Sequence, residues 1–171
     1  SINILMERLF KFGHQKIALL NVHKSFNYGH QRKVAYEDFH KKHNMQLNPN
    51  YYQESLEQMT FIGSKLTKKV LDLKDPPTAI ICSQDKYFIG CLQECQKRGL
   101  EVPKDISLVG YNDHDNYLSS QNLTFISHPL AEMGKMAVEI LEKIENGVAP
   151  KKLSKLIEPI LNKGKSDKKI N

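Results

Sequence analysis

Three short and almost uninterrupted apolar runs constrain the fold of this chain more than any other feature. The runs are KIALLNV (16–22), TAIIC (78–82) and ISLVG (106–110). Each has the length of a β-strand, and a run without polar alternation is typical of a strand that is covered on both faces. Longer stretches with apolar residues at helical spacing separate the runs. Because such strand-helix-strand units are right-handed crossovers, we expect an α/β fold with a mainly parallel sheet and helices on both faces.

Hydrophobic periodicity predicts the remaining elements. Helices are predicted over 2–10, 30–43, 59–73, 85–99 and 130–147, and weaker strands near 51–52, at 123–127 and at 153–160. The helix over 130–147 has a strongly apolar stripe, so it must cover another surface. Pro159 cannot donate a ladder hydrogen bond, which favours an edge position for the last strand.

The composition is that of an ordinary globular protein. The chain has 171 residues, of which 40% are hydrophobic and 26% charged, enough for one domain with a full core. Its longest apolar runs are far shorter than the roughly 18 residues that a membrane span needs. The first ten residues lack the pattern of a secretory signal. We therefore expect a cytoplasmic protein with no membrane partner.

The net charge of +6 is concentrated at the C-terminal end. Residues 162–171 hold four lysines and one aspartate, which supply half of this excess. A basic terminal segment of this kind is usually solvated, so residues 162–171 are predicted to form a basic disordered tail.

Cysteines, histidines and known motifs give no sign of a catalytic or metal centre. The three cysteines form no CxxC pair, and buried apolar side chains in a reducing compartment are predicted for Cys82, Cys91 and Cys95. His40 and His43 lack a carboxylate third ligand. The G-x-S-x-G elbow, the Walker loop and the G-x-G-x-x-G fingerprint are missing from the sequence. The sequence therefore predicts no metal, no cofactor and no enzymatic activity.

Polar side chains follow each of the three buried runs, where an open parallel sheet binds its ligands. These candidates are His23, Ser25, Asn27, Tyr28 and Arg32 after the first run, Ser83, Gln84 and Asp85 after the second, and Tyr111, Asn112, Asp113 and Asp115 after the third. Hydroxyl, amide, carboxylate and guanidinium groups together suit a neutral polyhydroxylated molecule such as a sugar.

Each of these side chains also has a structural interpretation. Arg32 suits a solvated helix position or a surface ion pair. Asp85 suits the N-cap of the following helix, for which an aspartate is common. Asn112 suits a turn, since asparagine stabilises loops through its own side chain. Tyr28 suits stacking on a sugar ring, although a lone aromatic more often packs against protein.

Five segments together resemble a known family. They are GHQKIALLNV, Arg32 with Ala35-Tyr36, PPTAIICSQD, RGLEVPKDISLVGYND and LTFISHPLAEMGKMA. In this order they resemble the effector-binding core of the lactose/galactose repressor (LacI/GalR) family of bacterial transcription regulators. The resemblance extends from about residue 5 to about residue 160, and its most specific part is VPKDISLVGYND.

The resemblance implies a periplasmic-binding-protein-like core of two subdomains. The core closes on a small effector, commonly a sugar, and repositions a helix-turn-helix headpiece on operator DNA as a homodimer. Residues 1–122 then belong to the C-terminal subdomain, 123–150 supply a strand and a helix of the N-terminal subdomain, and 151–161 form a return strand. The headpiece and the first strands of the core are expected upstream of Ser1, so the chain is a truncated core.

The resemblance also assigns roles to site residues. Arg32 matches an arginine that contacts sugar hydroxyls, Gln84 stands where an asparagine is common, and Asp85 follows it. Asn112 replaces an aspartate, which keeps an acceptor but removes a charge, so the effector is expected to differ from that of the lactose repressor.

Two other functions stay open at this point. The first is the solute-binding protein of a sugar transporter, which shares the core. The second is a small sugar enzyme, which would need Asp113 and Asp115 as an acid/base pair.

Overall fold

A single sheet forms the centre of the molecule in a computed structural model that describes residues 1–112, 116–150 and 153–170. Within these ranges the strands are β1 Ile17–Val22, β2 Tyr52–Ser55, β3 Ala79–Cys82, β4 Ser107–Tyr111, β5 Phe125–Ser127 and β6 Ile160–Asn162. Their spatial order is β2-β1-β3-β4-β5-β6. Neighbouring strands from β2 to β5 are parallel, and β6 runs antiparallel to β5. The predicted mainly parallel sheet is confirmed.

Helices cover both faces of this sheet. They are α1 Ile2–Lys11, α2 Asn27–Lys42, α3 Thr60–Leu71, α4 Asp85–Lys97, α5 Tyr117–Ser120 and α6 Leu130–Glu145. Alternate residues of β1 enter two different cores, since Ala18 and Leu20 pack with α3 and α4, whereas Ile17 and Leu19 pack with α1 and α2. A strand buried on both faces is therefore apolar throughout, which explains the uninterrupted runs of the sequence.

Two glycines permit close approaches that fix helix positions. A Cβ atom on Gly29 of α2 would lie 2.5 Å from the carbonyl oxygen of His23, and one on Gly90 of α4 would lie 2.0 Å from that of Thr60. Both distances are below any van der Waals contact, so α2 lies directly against the end of β1, and α4 lies directly against α3.

The three cysteines are buried free thiols, as predicted. Burial raises the pKa of the Cys91 thiol well above its ordinary value, so the reactive thiolate is disfavoured there. No described helix has the length and apolar character to span a membrane. In the described ranges, no group of three or more His, Cys, Asp and Glu residues is placed to hold a metal ion.

Two sequence-based assignments near the end of the chain are wrong. Residues 123–127 were assigned to the other subdomain, but β5 hydrogen-bonds to β4 as part of the same sheet. The last strand was predicted at 153–160, but β6 spans Ile160–Asn162. The position of β6 along the chain is set by its antiparallel pairing with β5. Local periodicity does not show which strand is the partner.

The prediction of a disordered tail over 162–171 is also wrong, although Asn171 lies outside the described residues. The C-terminal segment, residues 163–170, packs across the amino edge of the sheet. Asp167 accepts hydrogen bonds from Arg8 Nε at 2.5 Å and from Thr124 Oγ1 at 2.5 Å. Ser166 Oγ donates to the carbonyl of Leu108 at 2.7 Å. The lysines of the segment are exposed, while Ser166 and Asp167 between them are buried.

The helix α6 differs from the others because it buries none of its residues. Its apolar side chains Leu130, Val138 and Leu141 are exposed by 70%, 57% and 60%. The predicted apolar stripe is present, but within the described residues nothing covers it.

Candidate ligand site at the carboxyl edge of the sheet

Arg32 joins the ends of three strands at the carboxyl edge of the sheet. It lies in α2, which follows β1, and its Nη1 donates to the carbonyl oxygen of Ser83, directly after β3, at 3.2 Å. The guanidinium carbon lies 4.1 Å from the ring centroid of Tyr111, at the end of β4, and 5.3 Å from that of Tyr28. A permanently charged and planar group between two rings is held by cation–π attraction with its N–H edge in a fixed direction.

Asn21 fixes the start of the helix that carries Arg32. This residue is fully buried inside β1, and its Nδ2 donates to the carbonyl of Gly29 at 2.8 Å and to Tyr52 Oη at 3.2 Å. The missing Cβ of Gly29 allows the approach. Sequence reasoning missed Asn21; the only signal was one amide inside an otherwise apolar run.

Tyr111 connects Arg32 to two further segments. Its hydroxyl donates to Ser1 Oγ at 3.0 Å and lies 3.2 Å from His128 Nε2, next to the start of α6. A cavity of about 240 Å³ opens here and is lined by Ser1, Ile2, Tyr28, Gln31, Arg32, Ala35 and Tyr111. Its residues come from α1, α2 and β4, so the topology of the sheet brings them together.

The other predicted site residues lie beside this cluster. Gln84 directly follows Ser83 and is half-buried, and Asn112 directly follows Tyr111. Asn112 has a φ of +63°, which asparagine tolerates, and its backbone N–H donates to Ile126. Neither side chain lines the cavity beside Arg32. Asp113 and Asp115 lie outside the described residues.

Asp85 does not occupy the predicted N-cap position. The helix α4 begins at Asp85 itself, and Gln84 is the capping residue, without a side-chain cap bond. The Asp85 carboxylate accepts the backbone N–H of Lys86 at 2.7 Å and is nearly buried. Asp85 is therefore the first helical residue and not the residue before the helix. A negative charge in the first helical turn stabilises the helix.

Two aromatic rings stack at this edge, and the sequence analysis predicted only one of them, Tyr28, as a site residue. Phe26 and Tyr28 stack with their ring centroids 5.6 Å apart and an interplanar angle of 23°. Gln58, in the loop after β2, donates to Tyr28 Oη at 3.1 Å. Tyr87 in contrast is buried packing, where desolvation raises its pKa to about 12. Phe26 and Tyr28 stand two residues apart in the loop HKSFNYG, which was the available signal.

A larger cavity, of about 720 Å³, lies at the opposite, amino edge of the sheet. Lys16 and Asp75 border it and pair with each other at 2.7 Å, both substantially exposed. Size alone would favour this cavity as the ligand site. We favour the carboxyl edge because a half-buried guanidinium, ring faces and strand ends converge there.

Comparison with known proteins identifies the relatives of this chain. A family described as periplasmic binding protein-like domain matches residues 6–166. The chain belongs to this family. The ribose operon repressor of Haemophilus influenzae is 34% identical over 142 residues, which are 81% of this chain and 42% of that repressor. The transcriptional repressor CytR of Escherichia coli is 30% identical over 135 residues, or 78% of this chain and 39% of CytR.

Solved structures agree with this assignment. A LacI-family regulatory protein from Chloroflexus aggregans superposes with a TM-score of 0.88 at 26% identity, covering 97% of this chain and 60% of that protein. This periplasmic-binding-protein-like chain therefore shares its fold with part of a LacI-family regulatory protein. It spans about two fifths of the curated relatives that it matches.

Proposed function

We propose that this periplasmic-binding-protein-like chain is the effector-sensing part of a LacI-family transcription regulator and has no enzymatic activity. The relatives named above are transcriptional repressors, which favours regulation over sugar transport. The observation that carries the proposal is the position of Arg32, whose guanidinium is held between two rings and bonded to the end of a third strand. A regulator of this kind acts on operator DNA in the cytoplasm through a DNA-binding headpiece.

In this proposal the effector is a small molecule, with a sugar as the first candidate. Arg32 donates paired hydrogen bonds to neighbouring hydroxyl groups, which a planar guanidinium does well. Gln84 and Asn112 orient the ring from the ends of β3 and β4. Tyr28 contacts the ring face, and Asp85 supports the start of α4 beside Gln84.

The mechanism is a population shift between open and closed arrangements of two subdomains. The uncovered stripe of α6 supports this mechanism, because a helix that buries none of its residues leaves an apolar face for a second body to cover. An effector that contacts both bodies stabilises the closed state, and the typical coupling to DNA affinity is about 1–3 kcal/mol. The proposal includes a homodimer. Exposed apolar side chains before and within the first turn of α3 support it, because a second subunit could cover them; they are Leu56, Met59 and Phe61.

A thermal-shift screen of sugars against the full-length regulator tests this proposal. A sugar present at 100 times its Kd adds about 2.7 kcal/mol to the stability of the folded state, or roughly 5–10 °C in Tm for a domain of this size. Replacing Arg32 by alanine should abolish that shift. The matched control is Arg98→Ala, because Arg98 lies in ion pairs with Glu94 and Asp72 at the far end of α4. An equal shift in wild type and Arg32→Ala would refute the role of Arg32.

A further inference from the structure

Four exposed lysines of the C-terminal segment form a row along the amino edge of the sheet. This lysine row consists of Lys163, Lys165, Lys168 and Lys169. The N–H of Lys165 donates to the carbonyl of Asn122, ahead of β5, at 2.7 Å. The N–H of Lys168 donates to Ser107 Oγ, at the start of β4, at 3.1 Å, and its carbonyl lies 3.1 Å from His14 Nε2, ahead of β1. The backbone of the row is therefore fixed across the edge from β5 past β4 toward β1.

The positive charge of the lysine row is not neutralised by neighbouring side chains. Within the ranges that the structure describes, none of its four ammonium groups forms an ion pair. The one carboxylate of the segment, Asp167, is buried and paired with Arg8. The exposed side chains of the segment therefore carry only positive charge.

The ends of four helices add basic side chains to the same edge. Each of α1 to α4 ends ahead of a strand of the parallel part of the sheet, so its last turn lies at the amino edge. These turns contain Lys11, Lys42, Lys69 and Lys97. A cation near a helix C-terminus is stabilised by the helix dipole, which is sufficient reason for these four lysines. The C-terminal segment follows a strand, β6, so the dipole does not explain the lysine row.

We propose that the lysine row and the helix ends around it bind the phosphate backbone of duplex DNA without reading its sequence. Lysine contacts to phosphates release condensed counterions, and this release supplies essentially all of non-specific DNA binding. The surface lies at the edge opposite Arg32. The inference therefore does not depend on the candidate ligand site.

The composition of the amino edge favours a duplex over other polyanions. Binding of a single strand depends on exposed rings on which bases stack, and protein interfaces are enriched in aromatic anchors and depleted in lysine. The large exposed aromatic residues of the described ranges all follow the carboxyl ends of strands; they are Phe26, Tyr28, Phe61 and Tyr117. Interfaces with duplex DNA are in contrast rich in positive charge.

Fluorescence anisotropy with the 171-residue chain and a labelled duplex of arbitrary sequence tests the proposal. We expect a Kd on the order of 10⁻⁵ M at physiological salt, within the usual range of non-specific binding. Four phosphate contacts predict that log K falls with log[KCl] with a slope of about −3.5. An affinity that does not change with the KCl concentration would overturn the proposal.

Two charge-matched quadruple variants locate the surface. The first replaces the lysine row by glutamine, and it should weaken binding at least about tenfold and reduce the salt slope by about one for each lysine removed. The second replaces exposed lysines at the carboxyl edge and on α6 by glutamine, and it should bind as wild type; these are Lys24, Lys86, Lys135 and Lys143. Equal losses in the two variants would refute the role of the row, because net charge alone would then explain binding. Unchanged urea midpoints confirm that both variants are folded.

Competitors identify the class of partner. The same titration is carried out with poly-L-glutamate, with single-stranded DNA and with phosphatidylserine vesicles, all at equal charge concentration. The duplex should bind most tightly. Equal or tighter binding of any of the three competitors would overturn the assignment to duplex DNA.

Discussion

Replacing Asp167 by alanine should destabilise the protein more than any other change to a charged pair described above. The Asp167 side chain is completely buried, and it accepts two bonds from Arg8, at 2.5 and 3.2 Å, and one from Thr124 at 2.5 Å. Removal of the carboxylate leaves a guanidinium that is only 15% exposed without its counter-charge. Breaking a buried pair from one side costs about 3–5 kcal/mol. That is a large part of the roughly 5–15 kcal/mol that stabilises a typical domain.

Urea unfolding followed by circular dichroism measures this effect. The midpoint should fall strongly in Asp167→Ala with an unchanged m-value, since the surface exposed on unfolding is the same. Asp75→Ala is the control, because it removes a partner of Lys16 whose side chain is 67% exposed, and exposed pairs contribute little. A double variant with Arg8→Ala should recover part of the loss, because no unpaired charge then remains buried.

The outcome that refutes this reasoning is an Asp167→Ala variant no less stable than Asp75→Ala. The carboxylate would then be replaceable by solvent, and the C-terminal segment would not be anchored by burial of its charge.

Two further predictions concern pH and packing. Burial lowers the pKa of His14 and of His40, so the unfolded chain binds more protons than the folded protein below pH 6.5, and stability should fall as the pH drops from 7 toward 5. The urea midpoint should depend less on pH in His14→Gln than in wild type. An unchanged pH dependence of the midpoint in this variant would contradict the role of His14. Gly90→Ala should destabilise by about 1–3 kcal/mol because its Cβ would meet the Thr60 carbonyl. In the same assay Gly134→Ala, in open space on α6, should be neutral or stabilising by up to about 1 kcal/mol, and equal effects would refute the close-packing argument.

The sequence predicts the centre of the fold well because a strand that is buried on both faces appears in the sequence as an uninterrupted apolar run. The strands β1, β3 and β4 coincide with the three apolar runs, and the alternation of strands with helices follows from local periodicity. Arg32 and Tyr28 were predicted as site residues for a related reason, since the carboxyl edge of a parallel sheet is known once its strands are known.

The errors concern interactions between distant parts of the chain. Lysine content alone predicts a solvated tail, but order there depends on Asp167 meeting Arg8, which is 159 residues away. The position of β5 depends in the same way on β4. Asn21 and Phe26 escaped notice because their importance arises from what folding places beside them. The predicted start of α4 differs from the observed start by one residue, since Asp85 was predicted as the N-cap and is the first helical residue; helix boundaries commonly differ by this much.

The C-terminal segment, residues 163–170, stabilises the edge of the sheet that lies opposite the candidate ligand site. It secures the amino edge through bonds with Thr124, Leu108 and Arg8, none of which belongs to the candidate ligand site. Mutations in the loops at the opposite edge can therefore accumulate without loosening the scaffold. A lineage built on this architecture is free to change the residues of the candidate site in small evolutionary steps.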